Sequence, residues 1–247
     1  MQEMPKTYEA SLRFGIATDT QDLSGNVTQT ADVSSLTEHN IAVAVRSFIG
    51  EIEQVPPMVS AVKVDGKRLY EWARQGLEVE RKPRKVVIYD IHIIDISVGG
   101  DKLPEVRFTV RCSKGTYIRT LCADIGQALG VPAVMASLVR TESAGLVQAD
   151  CVTLEELAAL VDSGAWTARL VPGDKLLKHI PRTTASWKAV RDAIHGKKLP
   201  AAQLAPVPDR EGLWLVDQPD GSFLGIFAWE PQPQKLRAVK VFATAGG

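Results

Sequence analysis

Apolar and polar positions alternate from the first residues of the chain. Tyr8, Ala10, Leu12, Phe14 and Ile16 interleave with Thr7, Glu9, Ser11 and Arg13, the period-two pattern of a half-buried strand. "TDTQDLSG" follows as a turn rich in Asp and Gly. Ser35 and Glu38 stand at capping-box spacing. Ile41, Val45, Phe48, Ile49 and Ile52 then recur at helical spacing, with "QVPP" as the stop. Asp65-Gly66 marks a tight turn after a short strand, and "RLYEWARQ" reads as a helix stopped by Gly76. "RKVVIYDIHIIDISV" is apolar on both parities over its middle, which predicts a strand buried on both faces. "EVRFTVRCS" alternates again, with Val106, Phe108, Val110 and Cys112 on one side. After Gly115 the period lengthens to Ile118, Leu121, Cys122, Ile125 and Leu129, an amphipathic helix ending at Gly130.

The texture changes after Gly145. "TLEELAALVDSG" is a short helix, and two strand patterns flank an Asp220-Gly221 turn near the C-terminus. These patterns predict an α+β chain, mainly antiparallel, with helices on one or both sides of the sheet. They divide it into a main domain over residues 1–150, a linker helix over 151–171 and a small β-rich domain over 172–247.

Composition adds mostly exclusions. Three cysteines, Cys112, Cys122 and Cys151, form no spaced pair, which points to a reducing compartment and no disulfide framework. Four scattered histidines give no zinc-ligand spacing, and no apolar run approaches membrane length. The formal net charge is zero, so a nucleic-acid partner would have to be met by local charge. Lys63 to Lys85 holds eight basic residues against four acidic ones, with Tyr70 and Trp72 among them. Arg107 to Thr120 holds four cations and no acid. Cations interleaved with aromatics suit RNA, whose phosphates attract charge and whose splayed bases stack on flat side chains. The same residues equally fit a solvated face, with Tyr70 and Trp72 turned to the core side of a helix.

"CSKGTYIRTL" concentrates the chemistry. Gly115 permits a sharp strand-to-helix turn, and the first turn of the helix exposes unpaired N–H groups that favour an anion. Lys114 adds a mobile charge, Arg119 a rigid fork for a carboxylate or phosphate, and Tyr117 a ring and a hydroxyl.

"KTYEASLRFGIATDTQDLSG", "QVPPMVSAVKVDGKRLYEWARQG" and "VRCSKGTYIRTLCADIGQALG" occur in that order. Together they resemble the TruB family of bacterial tRNA pseudouridine synthases, closely from Lys6 to about Leu146 and more loosely beyond. The resemblance implies a pseudouridine-synthase sheet flanked by helices, followed by a PUA-like RNA-binding domain. It implies a cytoplasmic protein, monomeric when full-length, that acts on the T-arm at the tRNA elbow without cofactor or metal. The implied chemistry flips a T-loop uridine out of its stack. An aspartate attacks, the N-glycosidic bond breaks, the base rotates and a carbon–carbon bond forms. Carried onto this chain, Tyr8 stacks on the flipped base, which offsets roughly 1–3 kcal/mol of lost stacking. Tyr117 lies near the base for proton transfer, Arg119 pairs with the catalytic aspartate, and Leu138 forms an apolar pocket wall. Lys63 and Lys114 lie toward the RNA.

The resemblance also exposes departures. The family's nucleophile sits in a segment resembling "GTLDPLATG", upstream of the "KTYEA" strand, and no such segment occurs here. Asp19 and Asp22 lie downstream and are excluded by position. Val134 and Val139 stand where the family usually carries a histidine and a second arginine. The chain is therefore expected to be N-terminally truncated and inactive alone: a start assigned at an internal methionine, a deliberate shortening or a natural loss. A tRNA-binding remnant or RNA-folding factor is the alternative to a working synthase. The shortening predicts an Arg119 without its carboxylate partner, an uncovered sheet edge at the "TYEASLRFGI" strand and marginal stability.

Overall fold

The alternation around "KTYEASLRF" becomes β1 (Lys6–Phe14), followed by the hairpin strands β2 (Ile16–Thr18) and β3 (Val27–Thr30). These belong to a computed structural model that describes residues 4–242. Next come α1 (Glu38–Ser47), β4 (Gly50–Gln54), the two-residue strands β5 (Lys63–Val64) and β6 (Lys67–Arg68), and α2 (Leu69–Ala73). β7 (Arg84–Ser97), β8 (Glu105–Cys112), α3 (Ile118–Ala128), β9 (Ala133–Ser143) and β10 (Leu146–Val147) complete the first of two units, which meet at Thr153 and Leu154.

The main sheet of this unit runs β10-β9-β1-β8-β7-β4, antiparallel throughout. Ala10, Leu12 and Phe14 of β1, Val106, Phe108 and Val110 of β8, and Ile118, Leu121 and Ile125 of α3 share one core with Ile41 and Val45 of α1. Each such side chain contributes roughly 1.5–3 kcal/mol on burial. Gly126 lets α3 lie against β9, since a Cβ there would come within 2.4 Å of the Ala133 Cβ. The opposite face of β1 and β8 is charged, with Arg13 bonded to Glu105 at 3.0 Å.

The second unit holds α4 (Leu154–Asp162), β11 (Arg182–Ala185), α5 (Trp187–Ile194), β12 (Leu199–Pro200), β13 (Leu204–Ala205), β14 (Gly212–Asp217), β15 (Phe223–Glu230) and β16 (Lys235–Val241). Its sheet runs β12-β16-β15-β14-β11-β13, with β11 and β14 parallel and the rest antiparallel. Its core joins Trp214, Leu224, Phe227, Trp229 and Leu236 to Ala189 and Val190 of α5. The Asp220-Gly221 turn does connect two strands, and the α+β class holds for the whole chain.

Four expectations change. The α1 cap is Thr37, whose hydroxyl accepts from the Asn40 N–H while Asn40 accepts from the Thr37 N–H; the Ser35–Glu38 pair is not the box. Ile52 belongs to β4, not α1, because Gly50 at φ +118 turns the chain out of the helix. β7 is buried on one side only, leaving Tyr89 and Ile94 exposed. β1 is not an edge: it is paired on both sides by β8 and β9. Along β9, β10 covers only Glu142 and Ser143, and the 21–22 loop covers Met135. Among the described residues the open edge is thus Ser137–Arg140, all exposed. Val134 is fully buried on β9, whereas Val139 lies on this edge.

Candidate functional site

Gly115, at φ +79, makes the turn between β8 and α3. The turn is pinned to β7 by two bonds, from the Ser113 N–H to the Val87 carbonyl and from the Val87 N–H to Ser113 Oγ. Tyr117 is the N-cap of α3, and Arg119 points from the first turn into a ring of acceptors. Its Nη2 donates to the Val59 carbonyl at 2.7 Å, and its Nη1 donates to the Thr20 carbonyl at 3.1 Å and to Asp22 Oδ2 at 3.4 Å. The Arg119 side chain keeps 20% of its exposure and that of Asp22 24%. Arg119 therefore has a carboxylate partner, contrary to the expectation, and it is one of the two aspartates that position had excluded.

The loop holding Asp22 is built for this. Asp19 accepts from the Asn26 backbone and side chain, closing the loop ends. Gly25 lies so close that a Cβ would be 2.3 Å from oxygens of both Asp19 and Thr20. The Gln21 carbonyl accepts from Met135 N–H, fixing the loop to β9. Burial opposes the charged form of Asp22, but bonds from Ser24 and Thr20 and the Arg119 charge outweigh it and hold the carboxyl below its ordinary value. Asp22 Oδ1 accepts from Ser24 and Thr20 while Oδ2 faces Arg119, so both oxygens are engaged.

Tyr8 lies half-buried on β1 against the core and pairs with Arg140; Leu138, opposite Ala10, is the diagonal neighbour on the same face. That face also carries α3, so Tyr8, Leu138, Tyr117 and Arg119 share one side of the sheet. Lys63 and Lys114 are exposed, Lys114 on the β8–α3 turn and Lys63 on the β5–β6 hairpin.

The hairpin and α2 show how the cations and aromatics of the charged stretch are arranged. Only Leu69 of α2 is buried. Tyr70 lies between Arg68 and Arg74, whose guanidinium carbons are 5.8 and 5.3 Å from its ring centroid, and Lys67 sits 4.6 Å over Trp72. Half-exposed rings carrying cations form a surface suited to phosphate and base contact. Among the described residues no group of three or more His, Cys, Asp or Glu is placed to hold a metal ion. No described helix is long and apolar enough to cross a membrane.

Sequence reasoning missed Asp22 and Gln54, the latter buried to 2% and bonded to the Tyr117 backbone. The Asp-rich turn was the only signal for the first, and a polar residue ending an alternating strand the only signal for the second.

Residues 1–118 match the family described as TruB family pseudouridylate synthase (N terminal domain), and residues 119–178 match the tRNA pseudouridylate synthase B C-terminal domain. Among individual proteins, the chain is similar to tRNA pseudouridine synthase B of Symbiobacterium thermophilum, 50% identical over 191 residues, covering 77% of this chain and 61% of that protein. It is 38% identical to that of Bacillus pumilus over 243 residues, covering 96% and 77%. The chain thus spans between about three-fifths and three-quarters of these relatives. In fold it is similar to a chain of a Cbf5-Nop10-Gar1 complex, with TM-score 0.68 and 24% identity over 98% of this chain and 67% of that one. A chain of an H/ACA RNP bound to a substrate RNA containing 2'-deoxyuridine gives TM-score 0.69 and 22% identity over 100% and 68%.

Proposed function

The chain belongs to the TruB family of tRNA pseudouridine synthases, and we propose that its N-terminal unit binds the T-arm of tRNA and holds a flipped T-loop uridine for isomerisation. The observation that carries this reading is Arg119, fixed on the first turn of α3 beside Tyr117 by three acceptors. In this reading Tyr8 stacks on the base, Leu138 walls the pocket, and Tyr117 serves proton transfer at the base. Lys63, Lys114 and the cation-bearing rings of α2 meet the phosphates. Residues 172–247 act as a PUA-like RNA-binding domain after a linker helix over 151–171, and the protein works in the cytoplasm as a monomer without cofactor.

The nucleophile is not among residues 1–247 in this proposal. Asp22 is the only carboxylate that ion-pairs with Arg119 among the described residues. Its Oδ1 accepts from Ser24 and Thr20 and its Oδ2 faces the Arg119 guanidinium, so in this proposal its role is to orient Arg119. This favours the reading of residues 1–247 as the RNA-binding and positioning part of a synthase, with an RNA-folding role open to them because folding needs binding alone.

The test is binding of a fluorescent T-arm hairpin against salt. We expect affinity to fall steeply with salt, and Tyr8→Ala to weaken binding by about tenfold at fixed salt. Equal affinity for a hairpin of the same length with a scrambled loop would refute T-arm recognition.

A further inference from the structure

We propose that Gln54 is a positioning residue of the uridine pocket: its carboxamide clamps the Tyr117 peptide unit and so fixes the start of α3. This inference rests on the pocket reading above. Gln54 ends β4 and is buried to 2%. Its Oε1 accepts from the Tyr117 N–H at 3.0 Å, and its Nε2 donates to the Tyr117 carbonyl at 3.2 Å. A side chain here does what a neighbouring strand would do, meeting donor and acceptor of one residue together. The clamp matters because Tyr117 has no side-chain cap of its own on α3. Without Gln54 the N–H that precedes the helix would be left without this partner.

The same short segment grips the site a second time. Val59, five positions beyond Gln54, accepts the shortest Arg119 bond at 2.7 Å. Between the two grips stand Pro56 and Pro57, both buried, whose rings fix the backbone and hold Val55 extended. The segment then leads into the hairpin, where the Ser60 and Val62 carbonyls accept from the Tyr70 and Leu69 N–H groups. One stiff strap thus joins the Tyr117 peptide unit and the Arg119 guanidinium to the cation-bearing aromatics of α2. A carboxamide suits the position because both a donor and an acceptor are needed at one depth; glutamate offers two acceptors and methionine neither.

The test uses the full chain labelled with 15N-tyrosine, whose four amides are those of Tyr8, Tyr70, Tyr89 and Tyr117. In Gln54→Met we expect the Tyr117 signal to move and its hydrogen exchange to quicken by about tenfold or more, with Tyr8 and Tyr89 unchanged. T-arm affinity should fall by about tenfold with an unaltered salt slope, because phosphate contacts are untouched. Gln54→Glu keeps the acceptor and loses the donor: Tyr117 should stay protected while its signal moves and affinity falls. Tyr117 exchange in Gln54→Met within about twofold of the parent, or an unmoved Tyr117 signal in Gln54→Glu, overturns the clamp, as does a uniform change in all four amides. If the parent chain binds no T-arm RNA, the pocket reading fails while the amide result still decides the clamp.

Discussion

Replacing Arg119 with methionine separates two ways in which this side chain holds the 19–25 loop and the segment ending at Val59 to α3. Its guanidinium meets two backbone carbonyls, Val59 at 2.7 Å and Thr20 at 3.1 Å, and one carboxylate, Asp22, at the longer 3.4 Å. Hydrogen bonds from a charged group contribute roughly 1.5–3 kcal/mol each before water substitutes for them. With 20% of the side chain still exposed, water recovers part of that, and Arg119→Met should cost about 2–4 kcal/mol. Asp22→Asn keeps the size of the side chain and one carbonyl oxygen for Ser24 and Thr20, so it should cost about 1 kcal/mol. The double variant should reveal a coupling of about 1 kcal/mol, well short of the full Arg119 effect, because the carbonyls carry most of the tether. All four tyrosines lie in the N-terminal unit, so urea unfolding followed by their 15N amides reports that unit alone. A coupling equal to the whole Arg119→Met cost would refute the tether and make the ion pair the dominant bond. The Asp22 contribution should persist at neutral pH and be lost only as pH falls below the ordinary carboxyl value of 3.8 towards the depressed folded one.

Other expectations follow from single features. Burial pushes the Asp124 carboxyl on α3 up to about 6. Ionisation therefore weakens the fold as pH rises through that value, and Asp124→Asn should stabilise the unit by about 1 kcal/mol near neutral pH, after allowance for partial exposure. That gain should vanish below about pH 4 in the same urea titration, and a constant gain would count against burial as its cause. Gly126→Ala places a methyl 2.4 Å from the Ala133 Cβ and should cost about 1–3 kcal/mol by overpacking; a neutral result would mean that α3 and β9 are not in such close contact. Lys63→Ala and Lys67→Ala should each lower the salt slope of T-arm binding by about one, and a slope unchanged in both would place the phosphates elsewhere.

The regular elements were legible where pattern and burial agree. The alternation of Val106, Phe108, Val110 and Cys112 and the wider spacing of Ile118, Leu121 and Ile125 are the two sides of one core, so their periods mirror it directly. Ile52 was misread because it keeps step with Ile41 and Val45 while Gly50 has already left the helix; a backbone angle overrode a side-chain period. β7 was misread because its run of isoleucines does not reveal which of them a neighbour covers, and Tyr89 and Ile94 face outward. The family and the turn bearing Tyr117 and Arg119 were visible in contiguous motifs. The partners of that turn were not, since Arg119 reaches Asp22 across 97 positions and Gln54 reaches Tyr117 across 63. Contacts between loops at such separation leave no period to read.

The central claim is that these residues hold a T-loop uridine but do not themselves supply the nucleophile. The direct measurement incubates the chain with a T-arm hairpin carrying tritium at C5 of the target uridine, the atom that loses its hydrogen when the carbon–carbon bond forms, and reads tritium retained with protein on a filter and tritium released to water. The account predicts retention that falls with added salt and no release above the buffer control. Release from this chain would contradict the account by showing a nucleophile among residues 1–247, and absence of retention would contradict the RNA-binding assignment itself.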